Sequence, residues 1–357
     1  MEEWTDLLER GEAFDVIYTD FAKAFDSVPH ERLIIKLRNI GISGNILNWL
    51  RSFLSGRKQC VSVEGKMSNW TEVISGIPQG SVIGPTLFVI FINDLPEEIK
   101  SNICKMFADD CKLYGVVNVS DKVSNIQTDL DKLQRWSQKW QLPFNVTKCK
   151  TVHYGYRNPE LEYKLNGQSL GKVHEEKDLG VIIDDELKFH QHSASVSKKG
   201  SQMLGIIKRS FSTRDSKIIS TLYKAMVRPH LEYGNAIWGP HYQADIIKIE
   251  SVQRRATKLI GNLKDKPYQE RLRLLNLPSL LYRRKRGNMI LMYKIVQGMV
   301  RIDYEKLFTI RTVTRTRGHN YKIYKEHATR LSRKHDFAQK CVNDWNSLSM
   351  DNLQKQA

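Results

Sequence analysis

"CKMFADDCKLYG", residues 104–115, sets two adjacent acids, Asp109 and Asp110, inside an otherwise apolar run. Side-by-side carboxylates repel each other, and charge is costly where little water reaches. The stretch reads as strand, turn and strand, with the acids at the turn. A hairpin turn can put adjacent side chains at one end of a sheet, whereas a flat strand would point them to opposite faces. A third acid, Asp20, ends the apolar run "FDVIYTDF" (14–21), which reads as a buried strand. Taken alone, an Asp-Asp pair marks a turn or a solvated loop. Asp26, Asp94, Asp184 and Asp185 are read that way, Asp26 as the cap of the turn before Val28–Pro29. Three strand-end acids together have another use, because a divalent cation seated between carboxylates cancels their repulsion.

Outward from this stretch, the first 185 residues mix helices with strands. "HERLIIKLRNIG" (30–41) and "SGNILNWLRSFLSG" (43–56) have helical spacing, with Gly41 and Gly56 as stops. Residues 57–76 alternate around a Gly-containing turn and read as a hairpin. Residues 77–99 are a Gly/Pro loop entering an apolar helix, with Pro85 in the first turn, where its missing N–H costs nothing. Residues 120–142 read as an amphipathic helix capped by Ser120. "KCKTVHYG", "LEYKLNGQSL" and "KDLGVIID" read as short strands, with a turn at Asn166–Gly167. From about residue 190 the pattern is mostly helical and basic. The class is α+β with an antiparallel sheet, followed by a mainly helical region.

The net charge of +17 is unevenly spread: residues 1–150 carry −1 and residues 151–357 carry +18. Such asymmetry points to a polyanion partner, most simply nucleic acid. The basic clusters "SVSKKGSQMLGIIKRS" (195–210), "RRATK" and "YRRKRG" repeat the theme, although any one alone reads as a solvated helix face. The five cysteines include no CxxC pair, which fits a reduced protein and neither a disulfide framework nor a zinc site. No run of 18 apolar residues exists, so no membrane span is expected, and the acidic N-terminus lacks a signal-peptide core. An intracellular protein of nucleus or cytoplasm is expected, with "RRKR" (283–286) as a weak import signal. His190, His192 and His230 read as surface or packing residues.

In this order, "YTDFAKAFDSV", "SGIPQGSVIGPTLFVIFINDLP" and "FADD" resemble motifs A, B and C of reverse transcriptases, most closely those of non-LTR retrotransposons of the jockey and CR1 type. "NVTKCKTVHYG" resembles motif D and "DLGVIID" the primer-grip motif E, while "MVRPHLEYGNAIWG" (226–239) and "IESVQRRATKLI" (249–260) match the family's tail. The resemblance implies a polymerase palm at 1–188, a helical thumb-like region at 189–262 and a basic helical extension at 263–357. It implies RNA-templated DNA synthesis from dNTPs onto a primer 3′-hydroxyl, with two Mg²⁺ ions, or Mn²⁺ in their place.

Carried over residue by residue, the resemblance makes Asp20, Asp109 and Asp110 the metal ligands. Phe21 would lend its backbone to the triphosphate, and Phe25 would be the steric gate against the sugar's 2′ position. Pro78, Gln79 and Gly80 would form the loop over the incoming nucleotide. Lys148 would be the general acid for pyrophosphate, and Leu179 and Gly180 would place the primer end. The partners implied are an RNA template, a DNA primer and dNTPs. The fingers segments and the upstream endonuclease of the family have no counterpart here, so the 357 residues alone are expected to extend a primer poorly. Two rival readings remain: a catalytically silent nucleic-acid-binding remnant and a two-metal nuclease.

Overall fold

The computed structural model describes residues 1–118, 125–311 and 319–349. The expected cap at Ser120 lies outside the described residues. The chain divides into two compact units, Glu12–Glu176 and, discontinuously, Met1–Gly11 with Lys177–Ala357. The division therefore falls at 176–177, earlier than the boundary at 188 expected from sequence.

The Glu12–Glu176 unit is built on a five-stranded sheet. Its strand order is Gly171–Lys172, Lys150–Tyr154, Ala13–Thr19, Asp110–Val117 and Ile103–Phe107. The central strand Ala13–Thr19 is antiparallel to both neighbours, with Ile17 opposite Leu113 on one side and Thr151 on the other. Only the short Gly171–Lys172 strand pairs in parallel. One sheet face, carrying Ala13, Ile17, Cys111, Leu113 and Val117, belongs to the unit's apolar core. Helices His30–Asn39, Gly44–Leu54, Gly84–Ile92 and Asn125–Trp140 supply the other side of that core through Leu33, Leu50, Phe88, Phe91 and Trp136. Each such side chain, withdrawn from water, contributes about 1.5–3 kcal/mol.

Asp15 and Lys36 are among the charged side chains buried in this unit. Asp15, fully buried mid-strand, accepts hydrogen bonds from Asn158 Nδ2 at 2.7 Å and Tyr163 OH at 2.6 Å, and contacts His153 Nδ1 at 2.7 Å. Lys36 sits 3.9 Å from the Trp140 ring and donates to the Phe91 carbonyl and, at 2.6 Å, to Asp94 Oδ1. Burial pulls the Lys36 ammonium down to about 8. Asp94, read from sequence as a turn acid, is thus a core partner that also accepts from Trp136 Nε1 at 3.0 Å.

Several punctuation signals act as expected. Gly41 and Gly56 end their helices at φ 93° and 66°, and Asn166–Gly167 turns a hairpin at φ 51° and 72°. "KDLGVIID" is not one strand: Leu179 and Gly180, at φ 45° and 85°, form a two-residue turn between strands Glu175–Asp178 and Val181–Asp184. Residues 57–76 form two small hairpins, Lys58–Gln59 with Thr71–Glu72 and Ser62–Val63 with Lys66–Met67.

The second unit is mainly helical. Its long helices are His190–Ser210, Gln243–Lys258 and Leu280–Val296. Met292, Ile295, Phe308, Ile323, Val342 and Trp345 form one of its buried clusters. The N-terminal helix Glu2–Glu9 is tied to the far end of the chain. Glu9 accepts hydrogen bonds from the Thr329 and Arg330 N–H groups at 2.6 and 2.9 Å, and Glu2 pairs with the buried Arg333. Among the described residues no helix is long and apolar enough to cross a membrane.

Candidate active site

The register of the sheet decides where the acids fall. Thr19 pairs with Cys111, and Phe107 pairs with Asp110 across the two-residue turn Ala108–Asp109. Asp20 is one step past Thr19 and Asp110 one step before Cys111. Both therefore stand at one end of the sheet, on the face opposite Thr19 and Cys111. Ala108 enters the turn at φ 51°, which leaves Asp109 half-buried at its tip.

Asp20 is fixed through its main chain. Asn145 N–H donates to the Asp20 carbonyl at 2.7 Å, Ala22 N–H donates to the Pro143 carbonyl at 2.8 Å, and the Phe21 and Phe144 rings stack at 4.5 Å. Phe21 and Phe144 form the bridge between these bonds, so the backbone of Phe21 itself is turned away from Phe144. Lys148 Nζ stands 3.4 Å from Asp20 Oδ2. That oxygen is buried and has no hydrogen-bond partner.

Among the described residues no three His, Cys, Asp or Glu side chains stand close enough to hold a metal ion. The three carboxylates share an end of the sheet and not a common focus. Like charges at one end repel, and Asp20 turns to the Lys148 ammonium. In chemical type the acids still suit a hard divalent cation. They offer only carboxylate oxygens, and Asp20 Oδ2 lacks a hydrogen-bond donor.

The loop 76–83 is laced to the segment that follows Asp20. Gly76 N–H donates to the Val28 carbonyl and Ile77 N–H to the Phe25 carbonyl, both at 2.8 Å. The Gly76 carbonyl accepts from His30 Nε2 at 2.9 Å and Arg57 at 2.6 Å. Pro78 is half-buried, and its carbonyl accepts from Ser81 Oγ at 2.8 Å, while that hydroxyl oxygen accepts the Gly84 N–H at 3.0 Å. Gly80 has φ 82° and open space where a Cβ would stand. Phe25 is half-buried and stacks on Phe88 at 4.6 Å.

Asp26 is not merely a turn acid. Its Oδ1 accepts Gln79 Nε2 at 3.0 Å and so fixes which way that amide points. The links of Asp26, His30 and Arg57 to residues 76–79 are not legible in the sequence, because the partners lie 19 or more residues away and no short motif joins them. If Gln79 orders the incoming nucleotide, Asp26→Ala should raise the dNTP KM by about tenfold, the worth of one charge-assisted hydrogen bond. Unfolding free energy should change by less than about 1 kcal/mol, because the bond is exposed. An unchanged KM would remove Asp26 from this role.

The remaining expected site residues, Leu179 and Gly180, belong to the helical unit. Tyr233 OH donates to the Leu179 carbonyl at 3.0 Å, and a Cβ on Gly180 would lie 3.2 Å from the Tyr233 ring. On the adjoining strand, Ile182 N–H donates to His192 Nδ1 at 3.1 Å. An acceptor nitrogen carries no proton, so His192 is neutral, and burial holds its pKa at about 4. Its pKa is lower in the folded than in the unfolded chain, so between pH 6.5 and 4 the unfolded chain binds the extra proton. Stability contributed here is intact above pH 6.5 and is lost as pH falls to 4, by on the order of 3 kcal/mol. Urea midpoints of wild type and His192→Gln should diverge at neutral pH and converge near pH 4. Parallel curves across that window would show that His192 does not titrate with unfolding.

The family model described as reverse transcriptase (RNA-dependent DNA polymerase) matches residues 8–207. The chain belongs to the reverse transcriptase family. The RNA-directed DNA polymerase from mobile element jockey of Drosophila funebris is 29% identical over 283 residues, covering 74% of this chain and 30% of that protein. The probable RNA-directed DNA polymerase from transposon X-element of Drosophila melanogaster is 28% identical over 256 residues, covering 68% of this chain and 28% of that protein. This reverse transcriptase chain thus spans less than a third of the relatives it matches. They belong to the non-LTR, LINE-type branch, as the motifs implied. Among solved structures, telomerase from Candida albicans with a fragment of telomeric RNA aligns at TM-score 0.39 and 12% identity, over 78% of this chain and 54% of that one.

Proposed function

We propose that this chain carries the catalytic palm of an RNA-directed DNA polymerase of a non-LTR retrotransposon. The observation that carries the reading is the sheet register, which brings Asp20 and the Asp109–Asp110 turn to one end of one sheet. In this reading residues 1–188 act as the palm, residues 189–262 as a thumb and residues 263–357 as a basic extension. The substrates are an RNA template, a DNA primer and dNTPs.

Drawn together from their spread positions, Asp20, Asp109 and Asp110 would hold Mg²⁺, with Mn²⁺ as a substitute. When bound, two such ions activate the primer 3′-hydroxyl and neutralise the leaving pyrophosphate. Phosphoryl transfer asks otherwise for positioning and charge. Phe21 turns its backbone toward the triphosphate, and Gln79, oriented by Asp26, closes over the nucleotide with Pro78 and Gly80. Gly80 adds no side chain there, so the main chain can approach closely. Phe25, held by Phe88, bounds the sugar. Lys148, two-thirds exposed beside Asp20, would act as general acid toward the leaving pyrophosphate. The Leu179–Gly180 turn, braced by Tyr233, presents main chain to the primer end.

The test is extension of a labelled DNA primer on an RNA template, with Mg²⁺ and with a chelator. Metal-dependent extension supports the reading. Binding without extension would favour the silent remnant, and strand cleavage the nuclease.

A further inference from the structure

The helical unit contains a cavity that plays no part in the proposed polymerase chemistry. It has a volume of about 140 Å³ and lies between helix Leu280–Val296 and the segments around residues 235–241 and 335–344. A single water needs roughly 10–15 Å³ of such space, so the cavity has room for a tetrahedral oxyanion and its hydration.

Its lining is cationic. Arg284 is only 5% exposed, and both terminal nitrogens of its guanidinium lack a hydrogen-bond partner. Lys340 reaches the same cavity, with Nζ donating to the Ala236 carbonyl at 3.0 Å, and Lys285 stands at its exposed side. Polar groups that do not compete for a proton complete it: Asn288, and His241 stacked on His335 at 4.0 Å. Burial holds the His241 pKa at about 4.

Glu232 and Glu250 attract Arg284 through space, but the bonds that they accept come from other groups. Glu232 is held by Arg283 through both carboxylate oxygens, with NH2 at 2.8 Å. Glu250 accepts Tyr268 OH and, at 3.0 Å, the Leu280 N–H. Among the described lining residues the one acid, Asp344, lies 3.6 Å from Lys285 Nζ. A buried guanidinium whose terminal N–H groups meet no acceptor is expensive, and its planar fork of donors matches the oxygens of a phosphate.

We propose that this cavity is a phosphate-binding site, with Arg284 as its principal donor, Lys340 beside it and Lys285 at its entrance. The phosphate comes either from a nucleic-acid backbone or from a free phosphate or nucleotide, and the +18 charge of residues 151–357 favours the former. The site does not depend on the acids at the sheet end. Burial lowers the Lys340 pKa, and an anion in the cavity offsets that cost.

The test uses the whole chain and two probes. In the first arm, thermal unfolding is followed in inorganic phosphate and in chloride at matched ionic strength. Saturating phosphate should raise the wild-type midpoint by about 2–4 °C over chloride. Arg284→Met should abolish that difference while changing the midpoint in chloride little, since it removes buried donors that have no acceptor along with a through-space attraction to Glu232 and Glu250. If Arg284→Met does not fold, Lys285→Glu reverses an exposed charge at the entrance and should abolish the difference too. In the second arm, a fluorescent single-stranded RNA is titrated at several salt concentrations. A backbone phosphate in the cavity predicts about tenfold weaker RNA binding by the variant and a salt slope shallower by nearly one contact. RNA binding unchanged while the phosphate response is lost assigns the site to free phosphate. No difference between phosphate and chloride in the wild type, or the same difference in both variants, overturns the proposal.

Discussion

Asp109→Asn should cut primer extension on an RNA template by at least about a thousandfold while leaving the fold intact. The substitution exchanges a carboxylate for an amide of the same shape at the half-buried tip of the Ala108–Asp109 turn. Nothing in the core is disturbed, so the urea midpoint should move by no more than about 0.5 kcal/mol in free-energy terms. Asp20→Asn should do the same, because its backbone anchors to Asn145 and Cys149 remain. Asp184→Asn is the useful contrast. Its carboxylate accepts the N–H groups of Lys188 at 2.9 Å and Phe189 at 2.6 Å, so this change should cost about 1–3 kcal/mol of stability without touching the chemistry. Extension that survives Asp109→Asn would mean the sheet-end acids are not the catalytic ones.

The second large effect belongs to a glycine. Gly76 has φ 90°, and a Cβ there would lie 2.7 Å from the Asp26 carbonyl oxygen and 2.8 Å from Asp26 Cα. Both obstacles are backbone, and hydrogen bonds through Val28, Phe25, His30 and Arg57 hold the crossing from each side. Gly76→Ala therefore combines an unfavourable dihedral with an overlap that no rotamer relieves, a cost on the order of 4 kcal/mol. Gly80→Ala meets the same kind of dihedral, φ 82°, in open space and should cost only about 1 kcal/mol. Chemical denaturation of the two variants side by side decides the matter. Equal losses would mean that the close approach at Gly76 contributes nothing.

What the sequence disclosed follows from the range of the physics involved. Asn166–Gly167 and the helix stops Gly41 and Gly56 are local signals, where one residue supplies the positive φ, and they are realised. The acids were legible because apolar flanks made Asp20, Asp109 and Asp110 conspicuous. The Leu179–Gly180 turn was not, since a leucine at φ 45° carries no compositional warning. Asp15, mid-strand among apolar neighbours, gave no sign of its network with His153, Asn158 and Tyr163, which lie more than 130 residues on. Gln79's dependence on Asp26 and the unpaired state of Arg284 are likewise properties of packing.

The attachment of helix Glu2–Glu9 to residues 329–333 bears on how the molecule is made. On the ribosome, Glu12–Glu176 can assemble as soon as its last strand has emerged, whereas the helical unit waits for residues more than 300 positions after its first helix. Loop closure over such a span is slow relative to local pairing. Until residues 329–333 emerge, the apolar face of helix Glu2–Glu9, with Trp4 and Leu8, stands without that cover, a period of exposure in which a chaperone would matter. A fragment starting at Lys177 would meet the mirror problem, keeping Arg333 but losing Glu2.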